Sequence, residues 1–308
     1  MDKVLSVIST ALPVFLALFM GMLCRSKNFL TRDGVDTLKK VVINLTLPFA
    51  LFSSFASAEY TLSSLLIPIV IFIICCIMLA LGFVWVKAGK SKSRLAPFLA
   101  SGFEAGMLGI PLFGLLFPNE SLSQFAILIL GQEIFVFTLY KMLLTGKTSA
   151  KAIINDFLTS PTLIAVVLGL VVGATGLYDV FRSWGISTIF ESVCSFISAP
   201  TATIILFTVG FDLVIKEIPW KKTASSIAMR LVIAGAMLAV LILLNRTVLN
   251  GVIFEGAAIL LFMLPSPYVI PIFSDEPDER VQISSSLSAL TLITMILFAV
   301  FSVVLGIM

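Results

Sequence analysis

The chain has 308 residues, of which 59% are hydrophobic and only 12% charged, with a mean hydropathy of +1.13. Soluble domains carry about 25% charged residues. This chain has too little polar surface to cover itself in water, which excludes a water-soluble enzyme or a nucleic-acid-binding protein. The formal net charge of +3 says little as a total, because the basic residues are unevenly distributed.

Apolar runs of about 20 residues recur, the length of a membrane-spanning helix and twice that of a barrel strand. Ten spans are predicted in chain order: Val4–Cys24, Val41–Phe55, Leu62–Val86, Leu95–Phe117, Ser123–Leu144, Thr162–Leu177, Ile189–Leu213, Thr223–Leu244, Val252–Phe273 and Val281–Ile307. The first reads as a retained helix, since Asp2 and Lys3 make a weak charged start and Cys24-Arg25-Ser26 is no cleavage site. The second and sixth are short.

Lysine and arginine mark the cytoplasmic loops. Arg25, Lys27, Arg32, Lys39 and Lys40 follow span one; Lys87, Lys90, Lys92 and Arg94 follow span three. Lys141, Lys147 and Lys151 follow span five; Lys216, Lys221 and Lys222 follow span seven. The alternate loops hold Glu59-Tyr60, Pro118-Asn119-Glu120, and Arg182 and Arg246 alone. Both termini are therefore expected outside. The last inside loop, Ser274 to Arg280, is acidic; it reads as a solvated turn or a cytoplasmic gate.

Spans four and nine are interrupted, at Gly106-Met107-Leu108-Gly109-Ile110-Pro111 and at Pro265-Ser266-Pro267. Proline removes a backbone donor, and a lipid-buried segment tolerates this only against protein or a water-lined cavity. Each is the fourth of five spans in its half. Pro13 is answered by Pro161, Pro48 by Pro200, and Pro111 by Pro265. These offsets predict an inverted repeat of five plus five helices, residues 1–150 and 151–308, with the binding site at the breaks.

A broken helix offers amides to anions at the start of its second half and carbonyls to cations at the end of its first. In span four the second half is expected to start near Gly109–Pro111, with glycine admitting a ligand to the backbone. In span nine Ser266 adds a hydroxyl. Ionisable groups inside a span are functional candidates by default. Glu104 is a candidate proton carrier or a static pairing partner. Gln132 and Glu133 are candidates for cation coupling, neighbours of Glu104, or a structural hydrogen bond. Arg230 is the arginine deepest in a span, and its planar fork suits either a carboxylate partner (Glu104 or Glu133) or a substrate carboxylate. Glu255 is expected near the outer end of span nine, Asp212 at a solvated position, and Asn44 as packing glue.

Enzyme chemistry finds no footing. The chain contains no histidine, the commonest metal ligand and proton relay. Cys24, Cys75, Cys76 and Cys194 lack metal-site spacing. Gly89-Lys90-Ser91 lacks the preceding glycine and strand of a phosphate loop. No metal or cofactor is expected beyond a coupling proton or sodium ion.

Several stretches resemble the auxin efflux carrier family. They are Pro13-Val14-Phe15-Leu16 with Gly21 and a basic loop, and Asn44-Leu45-Thr46-Leu47-Pro48-Phe49-Ala50-Leu51-Phe52-Ser53-Ser54. Gly106-Met107-Leu108-Gly109-Ile110-Pro111-Leu112, Ser160-Pro161 with Gly169, and Thr208-Val209-Gly210-Phe211-Asp212-Leu213 with Arg230 continue the likeness. It covers essentially the whole chain. With no long central loop, the sequence looks like the compact prokaryotic members, which are linked to malate, malonate and other organic anions.

The resemblance implies a fold like that of bile-acid symporters. Spans one, two, six and seven would form a scaffold, through which related folds dimerise. Spans three to five and eight to ten would form a mobile transport domain, whose broken helices cross at mid-membrane beside the substrate. The chain departs from the family at Glu104, where asparagine is common, and at Ser266-Pro267-Tyr268-Val269, where an asparagine often follows the proline. An added carboxylate repels an anionic substrate unless protonated or paired.

The expected function is secondary active transport of a small organic anion in a bacterial plasma membrane. Its expected substrate-binding residues are Glu104, Gly106, Gly109, Ile110, Pro111, Arg230, Pro265, Ser266 and Pro267. The alternatives are a cation/proton antiporter using Glu104 and Glu133, and a non-transporting membrane sensor.

Overall fold

The computed structural model describes residues 2–58, 60, 62–89, 93–146, 159–213, 220–273 and 276–307. The expectations placed on Glu59, Lys90, Ser91, Lys92, Lys147, Lys151, Lys216, Ser274 and Asp275 lie outside the described residues. Among the described residues all regular secondary structure is helical.

The first half contains α1 (Asp2–Ser26), α2 (Arg32–Val41), α3 (Leu47–Ala56), α4 (Leu62–Ala88), α5 (Ile110–Leu116), α6 (Leu122–Phe135) and α7 (Lys141–Thr145). The second contains α8 (Pro161–Ala174), α9 (Leu177–Ser183), α10 (Ser187–Ser198), α11 (Thr201–Asp212), α12 (Trp220–Thr247), α13 (Glu255–Met263) and α14 (Pro277–Ile307). Thr31 caps α2 by accepting the Gly34 amide. Ser160 caps α8 by accepting the Leu163 amide, with Pro161 in the first turn, where a missing N–H costs nothing. A π turn at Val42–Thr46 joins α2 to α3.

Among the described residues seven helical stretches are long and apolar enough to cross a membrane, or eight if α8 and α9, bent by 69° at Thr175-Gly176, count as one span. The predicted ninth span is divided between the nine-residue α13 and a short 3-10 turn at Ile270–Phe273. Large apolar side chains lie exposed along the helices, among them Phe19, Val84, Leu168, Val232, Leu243 and Val300. In water such a surface would be a liability; against lipid it is the ordinary exterior of a membrane protein.

Two helix pairs pack most closely: α1 with α11, and α3 with α8. The first is a backbone-to-backbone contact. A Cβ on Gly21 would fall 2.0 Å from the Phe207 carbonyl oxygen, and one on Gly210 2.1 Å from that of Leu18. Small residues that allow such approach replace the hydrophobic drive that helices lack in lipid. A second group forms where α4 packs on α6, and α12 on α13 and α14. Phe113 on α5 stacks on Phe125 of α6 at 5.0 Å, closing the core beside the interrupted segments.

Candidate functional site

The interruption in the fourth predicted span lies earlier than the proline suggests. A 3-10 turn (Ala96–Ala100) ends at Ser101, the chain runs without regular structure to Glu104, and helix resumes at once as a π turn (Ala105–Gly109) leading into α5. Pro111 therefore sits in the first turn of α5. The wide turn upstream absorbs the missing donor, so the proline continues a helix rather than opening one. In the ninth predicted span, α13 stops at Met263 and Leu264 turns extended.

These two breaks touch. The Glu104 amide donates to the Pro265 carbonyl at 2.9 Å, and the Tyr268 amide donates to Glu104 Oε2 at 2.8 Å. Gly102, at φ +71°, lies against the Pro267 ring; a Cβ there would fall 2.9 Å from Pro267 Cγ. A left-handed backbone with a ring at its Cβ position admits only glycine at reasonable cost.

Carbonyls freed at the ends of both first half-helices find side-chain donors. Tyr140 Oη donates to Phe98 O at 2.9 Å, and Ser266 Oγ to Leu99 O at 2.5 Å. Arg230 spreads its fork across both breaks, Nη1 to Ala100 O at 3.1 Å and Nη2 to Leu264 O at 2.9 Å. Thr294 Oγ1 donates to Met263 O at 2.6 Å. A cation here faces two helix C-termini, the sign that the dipoles favour.

Of the two roles expected for Arg230, the pairing with Glu104 or Glu133 gives way to carbonyl partners. The arginine is only 2% exposed and lies over the Phe103 ring, 4.8 Å from the centroid. Its Nε is buried without a hydrogen-bond partner.

The amide ends are met by Glu104. Besides the Tyr268 amide, the Met107 amide lies close enough to interact with the same carboxylate. Gln132 accepts the Phe103 amide at 3.2 Å and donates to Glu133 Oε1 at 3.0 Å, which places Glu133 one link from the break and within electrostatic reach of Glu104. Glu133 also lines a cavity of about 20 Å³, with Gly106, Ile110, Leu51 and Thr162. That is room for one water, and it lies where α6 meets α3 and α8.

Gly109 does not admit a ligand. The space beside it holds Leu264 and Phe125, 2.7 and 2.9 Å from where a Cβ would be. Ile110 and Pro111 are buried in helix packing. Glu104, Gln132, Glu133, Arg230, Pro265, Ser266 and Pro267 come together, with Gly106 at the cavity edge.

Four peripheral groups also find named partners. Asp212 is held by Arg32 Nη1 at 2.8 Å and Lys39 Nζ at 2.5 Å, tying α11 to α2. The acidic loop is not wholly solvated, since Glu279 Oε1 accepts Ser93 Oγ at 2.5 Å and the Leu95 amide at 3.1 Å. Glu255 makes a two-point pair with Arg246, both contacts at 2.7 Å. Asn44 bonds within its own helix, donating to Lys40 O at 2.8 Å.

Tyr268 was not anticipated. A signal for it existed: Pro265 and Pro267 lack N–H groups, so Tyr268 carries the first amide after the second proline.

A chain helical throughout its described residues, with an apolar exterior and two interrupted segments meeting inside it, is an integral membrane protein of transporter type. The profile of the family described as "Membrane transport protein" matches residues 6–158, about half of the chain. The chain is also similar to an "Uncharacterized transporter" of Methanothermobacter thermautotrophicus, 23% identical over 309 residues, covering 96% of this chain and 97% of that protein. The chain belongs to this membrane transport family, the auxin efflux carrier family of its motifs.

Proposed function

We propose that this protein is a secondary active transporter of a small organic anion, a carboxylate or dicarboxylate. The observation that carries the reading is the meeting of the two breaks through Glu104, Pro265 and Tyr268. Helix N-termini brought together at one point make a ready site for an anion.

The ten-helix inverted repeat, with halves at 1–150 and 151–308, is part of this proposal. Its support is the matched position of the breaks. Elevator movement draws support from the two groups of helices: α1, α2, α3, α8, α10 and α11 as scaffold, and the elements bearing the breaks as the moving body. The cavity at Gly106 and Glu133 lies on that seam. Coupling is assigned to a proton or sodium ion at Glu104, Gln132 and Glu133. Both termini face outside, a bacterial plasma membrane holds the protein, and a homodimer forms through the scaffold.

Liposomes containing the purified protein test this. A panel of dicarboxylates and indole acids is offered under imposed proton or sodium gradients. Accumulation of one solute against its own gradient is expected. Proton movement in response to sodium, with no organic solute moved, would instead establish a cation/proton antiporter. That second reading is favoured by the proximity of Glu104 and Glu133.

A further inference from the structure

The meeting point already contains both charges that it is built to attract. At the carbonyl ends of the broken helices sits a guanidinium, Arg230, on Ala100 O and Leu264 O. At the amide ends sits a carboxylate, Glu104, on the Tyr268 amide and beside that of Met107. Arg230 is locked by burial and by two hydrogen bonds. Glu104 is only partly buried and stands on the chain immediately before the π turn, so its side chain can swing without unfolding a helix.

We infer that the Glu104 carboxylate is a tethered competitor of the transported anion, occupying the amides that the substrate carboxylate must take. The inference rests on the organic-anion reading and specifies how its coupling works. Two carboxylates sharing one donor set repel strongly at short range. A substrate anion therefore binds only when Glu104 is neutral, and each anion taken up brings one proton with it. The stoichiometry comes from one residue. No separate ion site is needed.

Other groups set the pH at which this occurs. Lys39, held by Asp212, is the cation that acts on Glu104; Glu133, Tyr140 and Tyr268 are the other titratable side chains within its reach. Of these, Lys39 in α2 and Asp212 at the end of α11 are partly solvent-exposed, 19% and 33%.

The test is binding of a dicarboxylate panel that includes malonate and malate to purified protein, read by calorimetry in two buffers of different ionisation enthalpy. Wild-type protein should take up about one proton per anion bound, and its apparent Kd should rise about tenfold per pH unit once Glu104 is ionised. Glu104→Gln should bind at pH 8 as tightly as wild type does at low pH, with no proton taken up.

Wild-type binding without proton uptake would overturn the inference and leave the anion reading intact. Proton-linked binding that persists in Glu104→Gln would assign the proton elsewhere and also overturn it. Failure of every panel anion to bind either protein at any pH would remove both readings. The wild-type measurement needs no variant, so a misfolded Glu104→Gln cannot obscure the result.

Discussion

Arg230 and Phe103 form a cation–π contact at 4.8 Å inside the protein, while the guanidinium hydrogen-bonds to the Ala100 and Leu264 carbonyls. The contact places a full charge in the interior, and the two carbonyls that the fork satisfies belong to different halves of the chain. Arg230 is a clamp between the breaks.

Arg230→Met is expected to leave Ala100 O and Leu264 O unpaired, each costing about 1–3 kcal/mol. Arg230→Lys should recover only part of this, because a point charge cannot span two carbonyls as a planar fork does. Thermal unfolding in detergent checks the order, wild type above Lys above Met. Unchanged stability with lost substrate affinity would make Arg230 a ligand instead.

Gly21→Ala and Gly210→Ala each put a methyl against backbone of the opposite helix. Overpacking of this kind costs about 1–3 kcal/mol. The double variant should lose less than the sum, since one separation of α1 from α11 relieves both clashes. Midpoints of thermal unfolding for the two single variants and the double variant measure this.

Glu279→Ala removes the acceptor for Ser93 Oγ and the Leu95 amide. Amide exchange over 93–100 should quicken, while exchange in α1 and α11 stays unchanged. Equal protection in both proteins would show the tie to be without consequence.

Tyr60, in the loop after α3, donates its hydroxyl to Phe55 O at 2.7 Å, and burial pushes its pKa up to about 12. Its folded pKa is raised above the unfolded value of about 10. The stability it contributes is therefore complete below pH 10 and is lost as pH rises toward 12. Tyr60→Phe should remove one tyrosine's share of the tyrosinate absorbance change near pH 12. A titration curve unaltered above pH 11 would refute the assignment.

Much of this was legible in the sequence because it depends on length and repetition. Apolar runs located the helices, and Pro265-Ser266-Pro267 located the second break to within a residue or two. The first break was misplaced, since Pro111 signals a missing donor but cannot show that a π turn upstream absorbs it. The partner of Arg230 was misjudged for a related reason. Charge complementarity pointed to glutamates, while the strongest local demand came from orphaned carbonyls that exist only once two helices have stopped. Tyr268 was hidden because its contribution is a backbone group, and residue type does not encode it.

That last point governs how the site responds to mutation. The donor that Tyr268 gives to Glu104 is an amide, so truncating its side chain leaves that donor in place. Alanine scanning will pass over this part of the recognition surface. Tyr268→Pro deletes it, and drift among side chains elsewhere can retune selectivity while the amide stays fixed.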